Sequence, residues 1–254
     1  MRYQGGKIKL SKHFLPIITK NLYGTNRIFV DLFAGGMNVI DKIDHPFKVA
    51  NDLNRYVISL WKDIQINGDK NIPLNVTKED YIRAKRQALY KNGENEFTNG
   101  QIGFIGACCS YMGGWFNGYA HYNPNKKEDH IKQARSGICK QITKFRYLSK
   151  TQFFNDDYRD VIYHFSPEEI NRMVIYCDPP YADTKKYETD FDNNTFWEWV
   201  REMKGMYPGC EIYISEYNAP SDFKCIWQKE VPVGMGTKIG FKQNRKIEKL
   251  FVYD

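Results

Sequence analysis

Residues Arg27 to Gly36 read RIFVDLFAGG. An apolar run of strand length reaches a carboxylate, and Ala34-Gly35-Gly36 then stops it. Glycines at such a point let backbone N–H groups approach a ligand closely. The stretch predicts the first strand of a parallel α/β sheet with a ligand-facing loop behind it. A purely structural turn accounts for two glycines equally well.

Working outward, the same design recurs. FKVAND (47–52), QFFND (152–156), MVIYC (173–177), EIYISEY (211–217) and KLFVYD (249–254) read as five more strands. Their apolar runs are near-continuous rather than alternating, as suits strands buried on both faces. A helix is expected between the first two strands. NRYVISLWKDI sets Val57, Ile58, Leu60, Trp61 and Ile64 at helical spacing. NTFWEWVREMKGM follows Asp192-Asn193-Asn194, good N-cap material. Strands alternating with helices predict an α/β fold.

Residues 65–150 break the alternation. KEDYIRAKRQALYKNG reads as a helix ended by Asn92-Gly93, and a stretch dense in glycine and aromatics follows. IKQARSGICKQITKFRYL looks helical and carries Lys132, Arg135, Lys140, Lys144 and Arg146. An inserted, mainly helical subdomain is expected over 65–150, with 1–64 and 151–254 forming the main domain.

Composition narrows the class. The chain has 254 residues, 42% hydrophobic and 15% aromatic, which is globular rather than disordered. A net charge of +7 is compatible with a polyanionic partner and equally with ordinary surface lysine. Six cysteines include no C-x-x-C pair and no nearby histidine cluster, so no metal is expected. No apolar stretch is long enough to span a bilayer and no signal peptide opens the chain, so a cytoplasmic location with reduced cysteines is expected. No G-x-x-x-x-G-K-[ST] run is present, which disfavours a nucleoside triphosphatase.

The strand ends carry the chemistry. In open α/β sheets ligands bind beyond the carboxyl ends of the strands. Asp31 with Gly35 and Gly36, then Asp52, then Asp156 or Asp157, then Asp178 all fall there. Asp52, in NDLN, either holds ribose hydroxyls or caps the next helix. Asp178-Pro179-Pro180-Tyr181 is the most specific of these. The prolines hold the segment extended. The Asp178 carboxylate and a carbonyl beside it then accept two hydrogen bonds from one planar –NH₂ group. Tyr181 offers a ring on which a flat base stacks, worth about 1–3 kcal/mol.

RYQGGK (2–7), FVDLFAGG (29–36) and DPPY (178–181) stand in the order of three motifs of the D12 class, Dam-like DNA adenine-N6 methyltransferases. The chain resembles that family over nearly its whole length, with VANDLN, FFNDDYRD and NRKIEKLFVY fitting weaker blocks. SYMGGWFNGYA is similar to a phage-type branch. The resemblance implies a Rossmann-like S-adenosylmethionine-dependent methyltransferase fold, with target recognition in the insertion. It implies methyl transfer to N6 of an adenine flipped out of double-stranded DNA, without a metal or a membrane. A restriction endonuclease partner is not visible in the sequence.

It also implies site roles. Tyr3 and Lys7 fall where the family contacts the cofactor; Asp52 would hold the ribose. Asp157, just before Tyr158, would meet the cofactor adenine, with Asp156 as a substitute. Asp178 would contact the substrate amine near the methyl donor, and Tyr181 would stack on the target base. The glycine motif departs from the usual F-x-G-x-G by placing Met37 at its last position. Tyr111 to Tyr122 reads either as a loop entering DNA or as a packed aromatic core. Lys238, Lys242, Arg245 and Lys246 read as a basic tail. The same clamp would suit an RNA-adenine or protein-glutamine N-methyltransferase, and an inactive DNA-binding homologue is a further alternative.

Overall fold

The computed structural model describes residues 1–90, 95–120, 129–180, 191–232 and 245–254. Its centre is a seven-stranded sheet in the order β3-β2-β1-β4-β5-β7-β6. The strands are β1 (Ile28–Asp31), β2 (Lys48–Asn51), β3 (Thr151–Phe154), β4 (Met173–Cys177), β5 (Glu211–Glu216), β6 (Lys224–Pro232) and β7 (Arg245–Val252). β1 to β5 pair in parallel, and β7 runs antiparallel between β5 and β6. This is the α/β, Rossmann-like arrangement expected from the sequence. β1, β2 and β4 are buried along their whole length, which explains their unbroken apolar runs.

Helices cover both faces. They are α1 (Ser11–Ile18), α2 (Arg55–Asn67), α3 (Lys78–Tyr90), α4 (Asn99–Gly103), α5 (His130–Lys144), α6 (Pro167–Asn171) and α7 (Asn193–Met206). The caps are local and legible. Asn54 accepts the amides of Tyr56 and Val57 to start α2, and Asp192 accepts those of Asn194 and Thr195 to start α7. Ser166 and Glu169 close a capping box on α6, and Thr98 with Gln101 does the same on α4.

One core joins Phe29, Ala50, Val174 and Tyr176 of the sheet to α1, α2 and the helices of the 65–150 segment, through Phe14, Trp61, Ile102, Phe104 and Ile138. The other packs Val30, Ile175 and Ile212 against Phe196, Val200 and Met203 of α7. The helices of 65–150 therefore share the core of the sheet.

Two expectations change. No regular helix joins β1 to β2; turns and one 3-10 turn, Ile40–Lys42, make the connection. Left-handed backbone at Gly35 (φ 44°) and Met37 (φ 57°) breaks any helical start there. A strand was also missed. β6, KCIWQKEVP, lies at the sheet edge and carries Lys224, Gln228, Lys229 and Glu230, so it lacks the apolar run that marks a central strand.

Candidate active site

The chain leaves β1 towards β2 and β3 on one side, and leaves β4 towards β5 on the other. The sheet order thus reverses between β1 and β4, the kind of switch point at whose carboxyl ends open α/β sheets bind ligands. β1 ends in Asp31, and Asp178 follows directly after β4. The expected carboxylates therefore start from the predicted edge of the sheet.

The N-terminal motif closes on this edge. Lys7, 5% exposed, places its Nζ 2.8 Å from Asp178 Oδ1 and 3.2 Å from Glu248 Oε1. RYQGGK and DPPY, 171 positions apart, are joined by one buried ammonium. Burial alone would lower the lysine pKa; Asp178 and Glu248 outweigh it, and the net shift is upward. Pro179 is buried and Pro180 half-buried. Tyr181 lies outside the described residues.

The glycine loop is braced from three directions. Gly35 donates to Asp52 Oδ2 at 2.7 Å, and Asn54 donates to Asp52 Oδ1 at 2.8 Å. Asp52 is not the cap of α2; that task belongs to Asn54, and Asp52 ties the loop after β1 to the end of β2. Burial raises its pKa, against the pull of those two amides. The Tyr3 ring covers the loop closely: a Cβ at Gly35 would stand 2.7 Å from Tyr3 Cε1, and one at Gly36 would stand 2.7 Å from Tyr3 Cβ. From α5, the Gln141 amide donates to the carbonyls of Gly36 and Met37, each at 2.9 Å. Met37 takes the left-handed conformation that a glycine would hold, with its side chain fully buried.

Asp31 is 1% exposed and accepts the Ile40 amide at 3.3 Å. Burial and then Asp178 hold its pKa well above the usual carboxylate range. Burial thus disfavours its charged form, and it supports the loop through Ile40.

The turn after β3 differs. Asp157 pairs with Arg159 at 2.8 Å, and this hydrogen bond lowers its pKa. Asp156 sits 2.8 Å from His164. The Tyr158 ring is buried and packs edge-on against Phe196 and Trp199 at 5.6 and 5.2 Å, with Phe33 tilted beside it at 5.5 Å. Its ring belongs to the core under the sheet.

Sequence reasoning missed Glu216, Glu248 and Gln141. Glu216 ends a strand, the same signal that marked Asp31. Glu248 alternates inward with Leu250 on β7, and both are buried. Of the "basic tail", Arg245 and Lys246 lie on this sheet strand: Arg245 pairs with Glu230 at 2.8 Å and Lys246 lies 4.3 Å over the Tyr217 ring. Lys238 and Lys242 lie outside the described residues. In the insertion, Trp115 stacks on Tyr56 at 5.6 Å and Phe116 meets Tyr81 at 5.3 Å, so those rings are core. Tyr111 and Met112 are 57% and 47% exposed, at a tip whose Gly113 carbonyl accepts the Gln4 amide at 3.0 Å. Tyr122 lies outside the described residues. Arg135 and Arg146 are engaged by Asp69 and Asp44. All six cysteines are free thiols. Among the described residues no helix is long and apolar enough to cross a membrane, and no group of three His, Cys, Asp or Glu side chains is placed to hold a metal.

An α/β sheet whose order reverses at a switch point with acidic strand ends is of the doubly wound class. Residues 3–200 match the D12 class N6 adenine-specific DNA methyltransferase family, and the chain belongs to it. The type II methyltransferase M.FokI of Planomicrobium okeanokoites is 23% identical over 91% of this chain and 38% of its own length. The modification methylase StsI of Streptococcus sanguinis is 26% identical over 80% of this chain and 32% of its own. The chain thus spans about a third of the length of these curated relatives. The rRNA methyltransferase aviRa of Streptomyces viridochromogenes aligns over 96% of this chain and 84% of that one, at 10% identity and a TM-score of 0.39, a likeness too slight to argue from.

Proposed function

We propose that this chain transfers a methyl group from S-adenosylmethionine to N6 of an adenine flipped out of double-stranded DNA. The observation that carries the reading is the Lys7–Asp178 contact, which unites the family's first and catalytic motifs at the switch point.

The residues present fit a cationic cofactor. Asp178 and Glu248 pair with Lys7, and the Glu216 carboxyl lies near enough to feel all three charges. Glu216 Oε2 is buried with no hydrogen-bond partner among the described residues. S-adenosylmethionine, when bound, supplies an electrophilic methyl group. Asp52 would hold its ribose, since each oxygen that already accepts an amide keeps a second lone pair. Gly35, Gly36 and Tyr3 would line its approach, and Asp157 at the β3 turn would face its adenine, with Tyr158 fixing that turn from the core. Asp31 shapes the loop through the Ile40 amide.

An exocyclic amine is a poor nucleophile because its lone pair is delocalised into the ring. Asp178 and a carbonyl of Pro179 or its neighbour would accept both amine hydrogens, localise that pair and stabilise the positive charge growing on nitrogen. Lys7 fixes the Asp178 carboxylate in direction. Tyr181 would stack on the base. Flipping costs a few kcal/mol. Phosphate contacts from residues 65–150, acting as target-recognition part, would offset it. The cytoplasm is the proposed location.

The test is transfer of labelled methyl from S-adenosylmethionine to unmethylated duplex DNA, with RNA and protein as parallel acceptors. Label in N6-methyladenine of DNA is expected. Label only in RNA or protein supports those substrates instead, and no label in any acceptor supports an inactive homologue.

A further inference from the structure

Glu216 is the last residue of β5, next to the strand that carries Asp178. Its side chain is 5% exposed. Oε1 accepts the Tyr217 amide at 2.7 Å, and Oε2 is buried without a hydrogen bond among the described residues. Among the described residues, the charged groups around it come from several elements. Asp178 follows β4, Glu248 and Lys249 lie on β7, and Lys7 belongs to the N-terminal segment. Lys7 is already divided between Asp178 and Glu248. Lys249 stands opposite Glu216 in the ladder but directs its ammonium over Phe251, and Lys246 lies over Tyr217.

Lys7 can offset one of these carboxylates. An ionised Glu216, whose Oε2 has no hydrogen-bond partner among the described residues, would add a further negative charge to this cluster away from water. Burying unpaired charge of that kind is costly enough that the group keeps its proton instead. Burial, helped by Asp178 and Glu248 and opposed by the Tyr217 amide and Lys7, brings the Glu216 carboxyl up to about 7.

We propose that Glu216 holds a proton until a sulfonium docks beside Asp178, so that binding the cationic methyl donor expels a proton and binding its neutral thioether product does not. The inference rests on the function proposed above. Its consequence is selectivity. The site favours the donor over the spent product increasingly as pH rises, because only the donor draws on ionised Glu216. Glu216 is a positioning residue in this scheme, acting through the charge of the Lys7–Asp178 cluster.

Calorimetric titration with S-adenosylmethionine and S-adenosylhomocysteine, in two buffers of different protonation enthalpy, counts the protons. At pH 6.5 the wild type should release roughly half to one proton on binding the donor and close to none on binding the product. From pH 6 to 8 the ratio of the two affinities should move about tenfold towards the donor. Glu216→Gln should bind both ligands with no proton release and a flat ratio. Should E216Q fail to bind the product, Glu216→Asp carries the test, since its carboxyl still titrates and must retain the release. Donor binding without proton release overturns the inference while the proposed function stands. So does a release that E216Q keeps and Asp31→Asn removes. If neither ligand binds the wild type, the functional reading fails and takes this inference with it.

Discussion

The acidic residues after β3 and after β4 share a sequence signature and live in different worlds. After β4, Asp178 joins Lys7, Glu248 and Glu216 in a cluster drawn from four parts of the chain, with Lys7 and both glutamates nearly sealed from solvent. After β3, Asp157 and Asp156 are partly exposed and satisfied by residues two and eight positions away. Charge in the first region is expensive to bury and persists only because partners were brought from afar. Charge in the second costs little and says correspondingly little. A carboxylate at a strand end is informative in proportion to what it takes to keep it there.

Substitutions that break the comparison should differ sharply between the two regions. Lys7→Met removes the buried ammonium that pairs with Asp178 and Glu248 and should cost about 3–5 kcal/mol in urea unfolding, together with loss of methyl transfer. The pH dependence comes next. Glu216 binds its proton more tightly folded than unfolded, so it favours the native state below its unfolded value of 4.5 and loses that contribution as pH rises to about 7. Relative to E216Q, the wild type should lose as much as ~3 kcal/mol across that window and then level off, as urea midpoints from pH 4.5 to 8 would record. Gly35→Ala adds a Cβ 2.7 Å from the Tyr3 ring at a φ of 44°, and should cost about 2 kcal/mol while weakening cofactor binding. Asp157→Asn, in the exposed turn, should leave the urea midpoint within its scatter. Its only expected effect is weaker cofactor binding.

Much of this was legible beforehand. Six strands, the cap at Asp192 and the alternation announced the sheet, because both-face burial writes continuous apolar runs. β6 was not legible, since an edge strand has little to bury. The helix expected after the glycine loop failed because Gly35 and Met37 turn left-handed, which no apolar spacing reveals. At the site, Lys7, Asp52 and Asp178 were found through motifs, and Asp31 by its place at a strand end. Glu216 and Glu248 escaped because single glutamates in apolar or basic strands look like surface residues until the sheet turns them inward. Tyr158, singled out with Asp157, has its ring in the core.

The central claim is that Asp178 acts on the substrate amine rather than on folding or cofactor capture. Asp178→Asn keeps the shape and removes the charge. Methyl transfer to duplex DNA in single turnover should fall by roughly a hundredfold or more while the Kd for S-adenosylhomocysteine changes little. A variant that loses product binding in parallel with transfer, or one that transfers methyl at the wild-type rate, would contradict it.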